Sequence, residues 1–110
     1  MTTSSVVEII EKQIASNPVL IYMKGTPDAP ECGFSAAAIK VLKAVGAEFA
    51  FVNVLQAPSI RERLPSVSQW PTFPQLFVNG ELIGGSDIVV NMAADGSLKT
   101  LLADVKAAAE

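Results

Sequence analysis

The sequence predicts an α/β fold in which a four-stranded mixed sheet is flanked by helices on both faces. Residues 19–23 form a continuous apolar run, which is typical of a strand buried on both faces. A helical pattern and a second strand pattern follow, and a strand, a helix and a strand in succession imply a right-handed parallel crossover. Further along, Asn79-Gly80 joins two short strand patterns and is a strong hairpin signal. A parallel pair and an antiparallel hairpin together make a mixed sheet.

Four segments in the first half of the chain have the periodicity of regular structure. In chain order they are a helix over 5–16, a strand over 19–23, a helix that begins near 33–35 and ends at Gly46, and a strand over 48–53. Ser5-x-x-Glu8 fits a capping box at the start of the first helix, and Asn17-Pro18 ends it.

The second half of the chain predicts three more helices and two more strands. In chain order they are a short helix capped by Ser59 and closed by Pro65, an irregular stretch over 66–74, a strand over 75–78, its return strand over 81–83, a helix capped by Ser86-Asp87 and ended by Asp95-Gly96, and a last helix capped by Ser97. The predicted order of elements is therefore α-β-α-β-α-β-β-α-α.

Composition limits the class of protein. The chain has 110 residues, half of them hydrophobic, so we expect one domain over residues 1–110 with its own packed core. A single cysteine excludes an internal disulfide framework and fits a reducing compartment. The formal charge of −3 argues against a general nucleic-acid binder, and no apolar run is long enough to span a membrane. Because the first residues show no signal-peptide pattern, we expect a cytoplasmic protein.

Cys32 is the only cysteine, and it falls where a loop rich in turn-forming residues enters a helix. The first N–H groups of a helix carry partial positive charge, which favours a thiolate and lowers the pKa of a thiol placed there. Lys24 adds to this effect if the loop folds back toward the sulfur. A lone cysteine is more often a small buried hydrophobic residue, but this position favours a nucleophile or a metal ligand.

The residues around Cys32 provide no second thiol. In a Cys-x-x-Cys pair the second cysteine resolves the mixed disulfide that the first one forms. Here the fourth position is Ser35, whose hydroxyl cannot form a disulfide. The chain has no histidine either, which excludes histidine as a general base or as a metal ligand. Any redox cycle or metal site must therefore take a thiol from another molecule.

Several polar groups are candidates for ligand contacts near Cys32, because α/β sheets bind ligands beyond the carboxyl ends of parallel strands. Thr72-Phe73-Pro74 favours extended backbone, so its peptide groups can pair with a peptide ligand. Gly85-Ser86-Asp87 begins a helix, which suits a carboxylate as well as an ordinary helix cap. Lys24 and Arg61 supply cations for a second carboxylate. Glutathione, a small peptide with two carboxylates and a thiol, fits these groups.

Some of these residues have a plainer interpretation. Taken alone, Lys24 and Arg61 are ordinary surface charges. Pro74 suits an ordinary trans proline at a strand start, since only about 5% of X–Pro bonds are cis in folded proteins. We expect Trp70 to pack under the neighbouring loop and Phe73 to contact the ligand.

Four segments along nearly the whole chain form a specific combination. They are Lys24-Gly25-Thr26-Pro27, Cys32-Gly33-Phe34-Ser35, Trp70-Pro71-Thr72-Phe73-Pro74 and Gly84-Gly85-Ser86-Asp87. With them the sequence resembles a monothiol glutaredoxin of the Cys-Gly-Phe-Ser type, a family with a thioredoxin-like fold. Many members of that family carry a second cysteine where this chain has Ser86, so any regulatory disulfide at that position is excluded here.

The resemblance implies roles for individual residues. Cys32 would be the active thiol and the protein ligand of an iron–sulfur cluster, and Pro74 would be a cis proline. The implied glutathione contacts are Lys24, Arg61, Thr72, Phe73, Ser86 and Asp87, and we expect Pro74 and Gly85 to belong to the same glutathione-binding site. The resemblance also implies BolA-type proteins as partners, whose histidine would replace a ligand that this chain lacks.

A count of ligands agrees with a role in cluster binding. A [2Fe–2S] cluster takes four ligands, mostly thiolates, and this chain offers one cysteine and no histidine. Two chains and two glutathione thiols would supply four ligands, so a cluster implies a glutathione-bridged homodimer. Our main interpretation is therefore a carrier that binds [2Fe–2S] with glutathione and delivers it to apo iron–sulfur proteins.

Two other functions remain open at this point. The same thiolate suits an enzyme, a glutathione-dependent thiol–disulfide oxidoreductase that removes glutathione from protein thiols through a mixed disulfide on Cys32. The third possibility is a redox-silent adaptor that uses the fold only to bind other proteins. Turnover that is lost in Cys32→Ser favours the enzyme, whereas partner binding that survives this substitution favours the adaptor.

Overall fold

The computed structural model describes residues 3–109, which form five helices and six strands. Four of the strands make up the main sheet, and the other two form a separate two-stranded sheet. In chain order the elements are α1 Thr3–Ser16, β1 Val19–Met23, β2 Gly25–Thr26, β3 Ala29–Pro30, α2 Gly33–Ala44, β4 Ala50–Asn53, α3 Pro58–Ser68, β5 Gln75–Val78, β6 Glu81–Gly84, α4 Ser86–Asp95 and α5 Ser97–Ala109. None of the helices within this described range is long and apolar enough to cross a membrane.

The main sheet has the strand order β4-β1-β5-β6. Strand β1 is parallel to β4 and antiparallel to β5, and β5 and β6 form the hairpin around Asn79-Gly80. The register places Met23 beside Asn53 on one side of β1 and Tyr22 beside Gln75 on the other. The predicted four-stranded mixed sheet is confirmed.

Both faces of the sheet are covered by helices, as predicted, and β1 is buried along its whole length. Because successive side chains of a strand point to opposite faces, Val19, Ile21 and Met23 pack into one core cluster with residues of α2, α4 and α5. Leu20 and Tyr22 pack into a second cluster with residues of α1 and α3. This two-sided burial explains why the strand is apolar without alternation.

Helix α3 continues past the proline that was predicted to close it. Pro65 lies inside the helix, which ends at Ser68, so the prediction of an irregular stretch from residue 66 onward is wrong there. A proline in a helix removes one intrahelical hydrogen bond. However, Ile60 and Leu64 are buried in the second core cluster and Val67 packs against it. These positions share one face of the helix, and their burial carries it beyond the proline.

The predicted side-chain caps at the starts of α3 and α4 are wrong. Helix α3 begins at Pro58 with Ala57 as its N-cap, and α4 begins at Ser86 with Gly85 as its N-cap; neither N-cap makes a side-chain cap hydrogen bond. The fixed φ of proline suits the first position of a helix, so α3 starts one residue before Ser59.

The ends of five other elements also differ from the prediction. Helix α2 ends at Ala44 rather than at Gly46, and β6 ends at Gly84 rather than at residue 83. Helix α1 begins at Thr3, which places Ser5 inside it, and β4 begins at Ala50 rather than at residue 48. Ser97 is the first residue of α5 and so lies inside the helix rather than at the predicted cap position, and its hydroxyl donates a hydrogen bond to Asp95 Oδ1 at 2.6 Å.

Candidate functional site

The thiol of Cys32 lies at the start of α2, where Cys32 is the N-cap in extended conformation. The side chain is partly exposed. The pKa of this thiol is lowered from its ordinary value, first because the backbone N–H of Ser35 donates to the sulfur. The backbone N–H of Phe34, the charge of Lys24 and the Ser35 hydroxyl act in the same direction, while partial burial opposes them. The predicted helix-start thiolate is therefore supported by local geometry.

Ser35 occupies the place of a resolving cysteine and has a structural role there. Its side chain is fully buried, and its Oγ accepts a hydrogen bond from the backbone N–H of Lys24 at 3.1 Å. The serine thus connects α2 to the loop that precedes it, and the same hydroxyl group acts on the Cys32 sulfur.

The loop between β1 and α2 folds back on itself, because it contains the short antiparallel strands β2 and β3, which were not predicted. The backbone N–H of Glu31 donates to the carbonyl oxygen of Lys24 at 2.9 Å. Gly25 has a φ of +93°, a conformation that favours glycine. Because the loop folds back, the positive charge of Lys24 acts on the Cys32 thiol.

An open groove of about 700 Å³ lies beside Cys32. Eight of the nine predicted site residues line it: Lys24, Cys32, Arg61, Thr72, Phe73, Gly85, Ser86 and Asp87. The ninth, Pro74, is buried at the start of β5, and the Phe73–Pro74 peptide bond is cis, as the resemblance predicted. The structure therefore brings together residues from five separate parts of the chain around one thiol.

Gly85 allows two walls of the groove to approach each other. A Cβ atom on this residue would lie 3.1 Å from Nε1 of Trp70 and 3.3 Å from the carbonyl oxygen of Pro74. These distances are tighter than ordinary van der Waals contact. The absence of a side chain at Gly85 therefore lets the start of α4 pack against the loop that contains Trp70.

The loop before β5 is held from below by Gln75, which is fully buried. Its Nε2 donates hydrogen bonds to the carbonyl oxygens of Trp70 at 2.8 Å and Thr72 at 3.2 Å. The backbone that lines the groove at Thr72 is thereby fixed by a residue beneath it. Gln75 was not predicted from the sequence, because nothing local distinguishes this glutamine from an ordinary strand residue.

The groove is also lined by five residues that were not predicted to belong to the site: Phe34, Pro65, Trp70, Pro71 and Ile88. Phe34 is 63% exposed although it is a large apolar residue. Trp70 was expected to pack under the loop, and it is half-buried and also lines the groove. Phe34, Trp70 and Pro71 belong to two of the four motifs, whereas the only signal for Pro65 and Ile88 in the sequence is that each lies near a residue already assigned to the site.

The lowered pKa predicts that Cys32 reacts as a thiolate at pH values where an ordinary cysteine is still protonated. We expect the rate of its alkylation by iodoacetamide, measured against pH, to reach half its plateau at a lower pH than for a cysteine peptide. Lys24→Met removes one cause of the lowered pKa, so the midpoint should rise. Lys12→Met, an exposed residue on α1, should leave it unchanged. A wild-type midpoint equal to that of the peptide contradicts the prediction.

The chain is similar to known glutaredoxins. Residues 19–83 match the family model described as Glutaredoxin. Over 104 residues the chain is 53% identical to Glutaredoxin 4 of Escherichia coli strain K12, and the match covers 94% of this chain and 90% of that protein.

Solved structures with the same fold include two plant proteins. The solution structure of reduced apo GrxS14 from poplar has a TM-score of 0.81 and 37% identity, and it covers 97% of this chain and 99% of its own. A buckwheat glutaredoxin–glutathione complex has a TM-score of 0.83, covers 94% of this chain and 93% of its own, and at 23% identity shows a likeness of fold alone. The predicted thioredoxin-like fold is confirmed.

Proposed function

The chain belongs to the glutaredoxin family, and from this we propose that it is a monothiol glutaredoxin that carries a [2Fe–2S] cluster. The cluster is bound together with glutathione at the interface of a homodimer and is passed on to apo-proteins. The observation that carries the proposal is that the only thiol of the chain opens on a groove whose other groups suit glutathione.

The groove offers a partner for each polar part of glutathione. Lys24 and Arg61 are cations for one carboxylate, and the N–H groups at the start of α4 suit the other. The carboxylate of Asp87 suits the ammonium group, and the backbone at Thr72, which lines the groove, suits the central peptide unit. The buckwheat glutaredoxin, which has this fold, was solved as a complex with glutathione.

The number of ligands accounts for the dimer and for the use of glutathione. Each chain contributes one thiolate, Cys32, and has no histidine. A [2Fe–2S] cluster takes four ligands, so two chains and two glutathione thiolates complete the set. Two of the four ligands are then small exchangeable molecules, which suits the release of a cluster to an apo-protein or the replacement of a ligand by a BolA-type partner.

Ser35 excludes an internal disulfide that would compete with cluster binding. A cysteine at this position would compete for Cys32 by forming a disulfide, whereas the serine hydroxyl cannot. The same hydroxyl oxygen accepts the Lys24 N–H, which orders the loop beside the thiol. Cys32 therefore remains available as a ligand under conditions that would oxidise a Cys-x-x-Cys pair.

Anaerobic reconstitution tests the proposal. Wild-type protein is incubated with iron, sulfide and glutathione, and its visible absorption and its mass in solution are measured. We expect a coloured dimer that requires glutathione. Cys32→Ser should give a colourless monomer, whereas Ser16→Ala, on an exposed residue at the end of α1, should behave as wild type.

Two results of this experiment would contradict the proposal. A colourless wild-type monomer, obtained under conditions in which a known cluster protein reconstitutes, would show that the chain is not a carrier. A coloured monomer, or colour that does not depend on glutathione, would contradict the shared ligand set.

Thiol exchange is a second candidate, because the pKa of the partly exposed Cys32 thiol is lowered. The Cys32 thiolate would attack the glutathione sulfur of a glutathionylated protein, form a mixed disulfide with glutathione and release the protein thiolate. A second glutathione thiolate would then attack that mixed disulfide, which regenerates the Cys32 thiolate and releases oxidised glutathione.

A glutathionylated peptide tests the exchange reaction. If the enzyme activity exists, turnover depends on glutathione concentration and disappears in Cys32→Ser. Turnover no faster than the reaction of glutathione with the peptide alone would exclude it. Binding of a partner protein by Cys32→Ser, without cluster or glutathione, would instead indicate an adaptor.

A further inference from the structure

The backbone of Lys24 is held on both sides by hydrogen bonds from other parts of the fold. Its N–H donates to Oγ of Ser35 at 3.1 Å, and its carbonyl oxygen accepts the N–H of Glu31 at 2.9 Å. The next residue, Gly25, is buried, and its N–H donates to Oδ1 of Asn53 at 3.0 Å. The segment from Lys24 to Gly25 is thus fixed by α2, by its own loop and by the end of β4.

Asn53 is the residue that reaches this segment from the sheet. It is the last residue of β4 and lies beside Met23 in the parallel register with β1. Its Oδ1 accepts the N–H of Gly25 and also the N–H of Leu55, each at 3.0 Å. One side-chain oxygen therefore ties the start of the Cys32 loop to the turn that follows β4.

The hydrogen bond between Gly25 and Asn53 can control the position of the loop because the backbone is closely packed at Gly25. A Cβ atom on Gly25 would lie 2.6 Å from the carbonyl oxygen of Ala29 and 2.6 Å from the backbone nitrogen of Glu31. The two sides of the loop are thus in direct contact at this point. A shift of the Gly25 peptide must then shift its neighbour Lys24, whose side chain lines the groove.

We propose that Asn53 is a positioning residue of the glutathione groove: by holding the Gly25 peptide, it sets the place from which Lys24 presents its charge to a carboxylate of the ligand. The proposal rests on the proposed use of glutathione and deepens it. Asn53 itself does not line the groove, so its whole effect on the ligand passes through the backbone of the neighbouring residue.

The test compares Asn53→Ala and Asn53→Asp in wild-type and Lys24→Met backgrounds. The ligand is S-methylglutathione, which has no free thiol, and its affinity is measured by NMR titration. Asn53→Ala should weaken binding roughly fivefold, the size of one net hydrogen bond. Asn53→Asp keeps a side-chain oxygen in place and should stay within about twofold of wild type. In the Lys24→Met background, Asn53→Ala should have almost no further effect.

Amide hydrogen exchange in the same samples reports the position of the backbone without any ligand. Asn53→Ala should speed exchange of the Gly25 amide and also of the Lys24 amide, and Asn53→Asp should restore the protection of both. Asn17→Ala is the matched control, because Asn17 is also a partly buried asparagine that makes a side-chain hydrogen bond, to the carbonyl oxygen of Gln13 at 2.8 Å. This control should change neither readout.

The outcomes separate this proposal from the proposed function. If Asn53→Ala weakens binding equally with and without Lys24, or if the Lys24 amide stays protected, Asn53 does not position Lys24. If wild-type protein does not bind S-methylglutathione, the use of glutathione is wrong. In that case loss of protection at the Lys24 amide in Asn53→Ala still supports positioning by Asn53, and unchanged protection overturns it.

Discussion

Gln75→Glu is expected to destabilise the fold by about 3–5 kcal/mol at neutral pH, the cost of an unpaired buried charge. The two side chains are almost the same in shape. However, Nε2 of Gln75 donates to two carbonyl oxygens, and a carboxylate has no proton to donate. The substitution therefore places a negative charge against the oxygens of Trp70 and Thr72 at a position that is fully buried.

This loss of stability should depend on pH. Burial and the two carbonyl oxygens disfavour the charged form, so the pKa of the introduced glutamate is higher in the folded state than its unfolded value of about 4.3. Below about pH 3 the group is almost entirely neutral in both states, and the variant should approach wild-type stability. The difference from wild type should grow as the pH rises through the unfolded pKa and should level off above the folded pKa.

Urea unfolding of both proteins across this pH range measures the effect. Gln13→Glu is the matched control, because Oε1 of Gln13 accepts a hydrogen bond from the Tyr22 hydroxyl at 2.8 Å. A glutamate oxygen can accept the same bond, so this control should lose far less stability. Equal losses in the two variants, or a loss in Gln75→Glu that does not change with pH, would contradict the assigned role of the amide.

Gly25→Ala is expected to cost about 2–3 kcal/mol and to disorganise the groove. The φ of +93° disfavours any residue with a Cβ atom. In addition, the new Cβ atom would lie 2.6 Å from two backbone atoms, and a backbone clash cannot be relieved by rotating a side chain. The loop must open to accept the methyl group, and Lys24 then loses its fixed position.

The control variant Gly46→Ala separates the cost of backbone strain at a positive φ from the cost of a steric clash of the new Cβ atom. Gly46 also has a positive φ, +74°, but a Cβ atom there would meet nothing within 4 Å. This control should lose stability by only about 1 kcal/mol and should bind S-methylglutathione as wild type does. If the two alanine variants lose equal stability and keep equal affinity, the close packing of the Cys32 loop at Gly25 is not important.

The features that were predicted from the sequence are those with local causes. The apolar run of β1 follows from burial on both faces, and Asn79-Gly80 marks the hairpin directly. The position of Cys32 at the start of α2 follows from the turn-forming residues before it and the helical spacing after it. Recognition of the four motifs then grouped residues that are distant in sequence, and eight of the nine predicted site residues line one groove.

The features that were missed depend on contacts between distant residues. Asn53 reaches Gly25 across 28 positions of the chain, and no local pattern distinguishes it from any asparagine at the end of a strand. Pro65 is a strong local signal for the end of a helix, but burial of Leu64 beside it and packing of Val67 outweigh that signal. The strands β2 and β3 have two residues each, which is too short for a period of two to be recognised.

Trp70 gives the protein an intrinsic fluorescence probe at the groove. It is the only tryptophan in the chain, and it lines the groove beside Cys32. Nearly all fluorescence excited at the red edge of protein absorption must therefore come from a single position at the groove. If the chain binds glutathione and carries a cluster as proposed, arrival of glutathione should change the emission of this indole, and transfer of the cluster to a second protein should restore emission that the cluster had quenched. The proposed delivery can then be followed in real time without attaching a label.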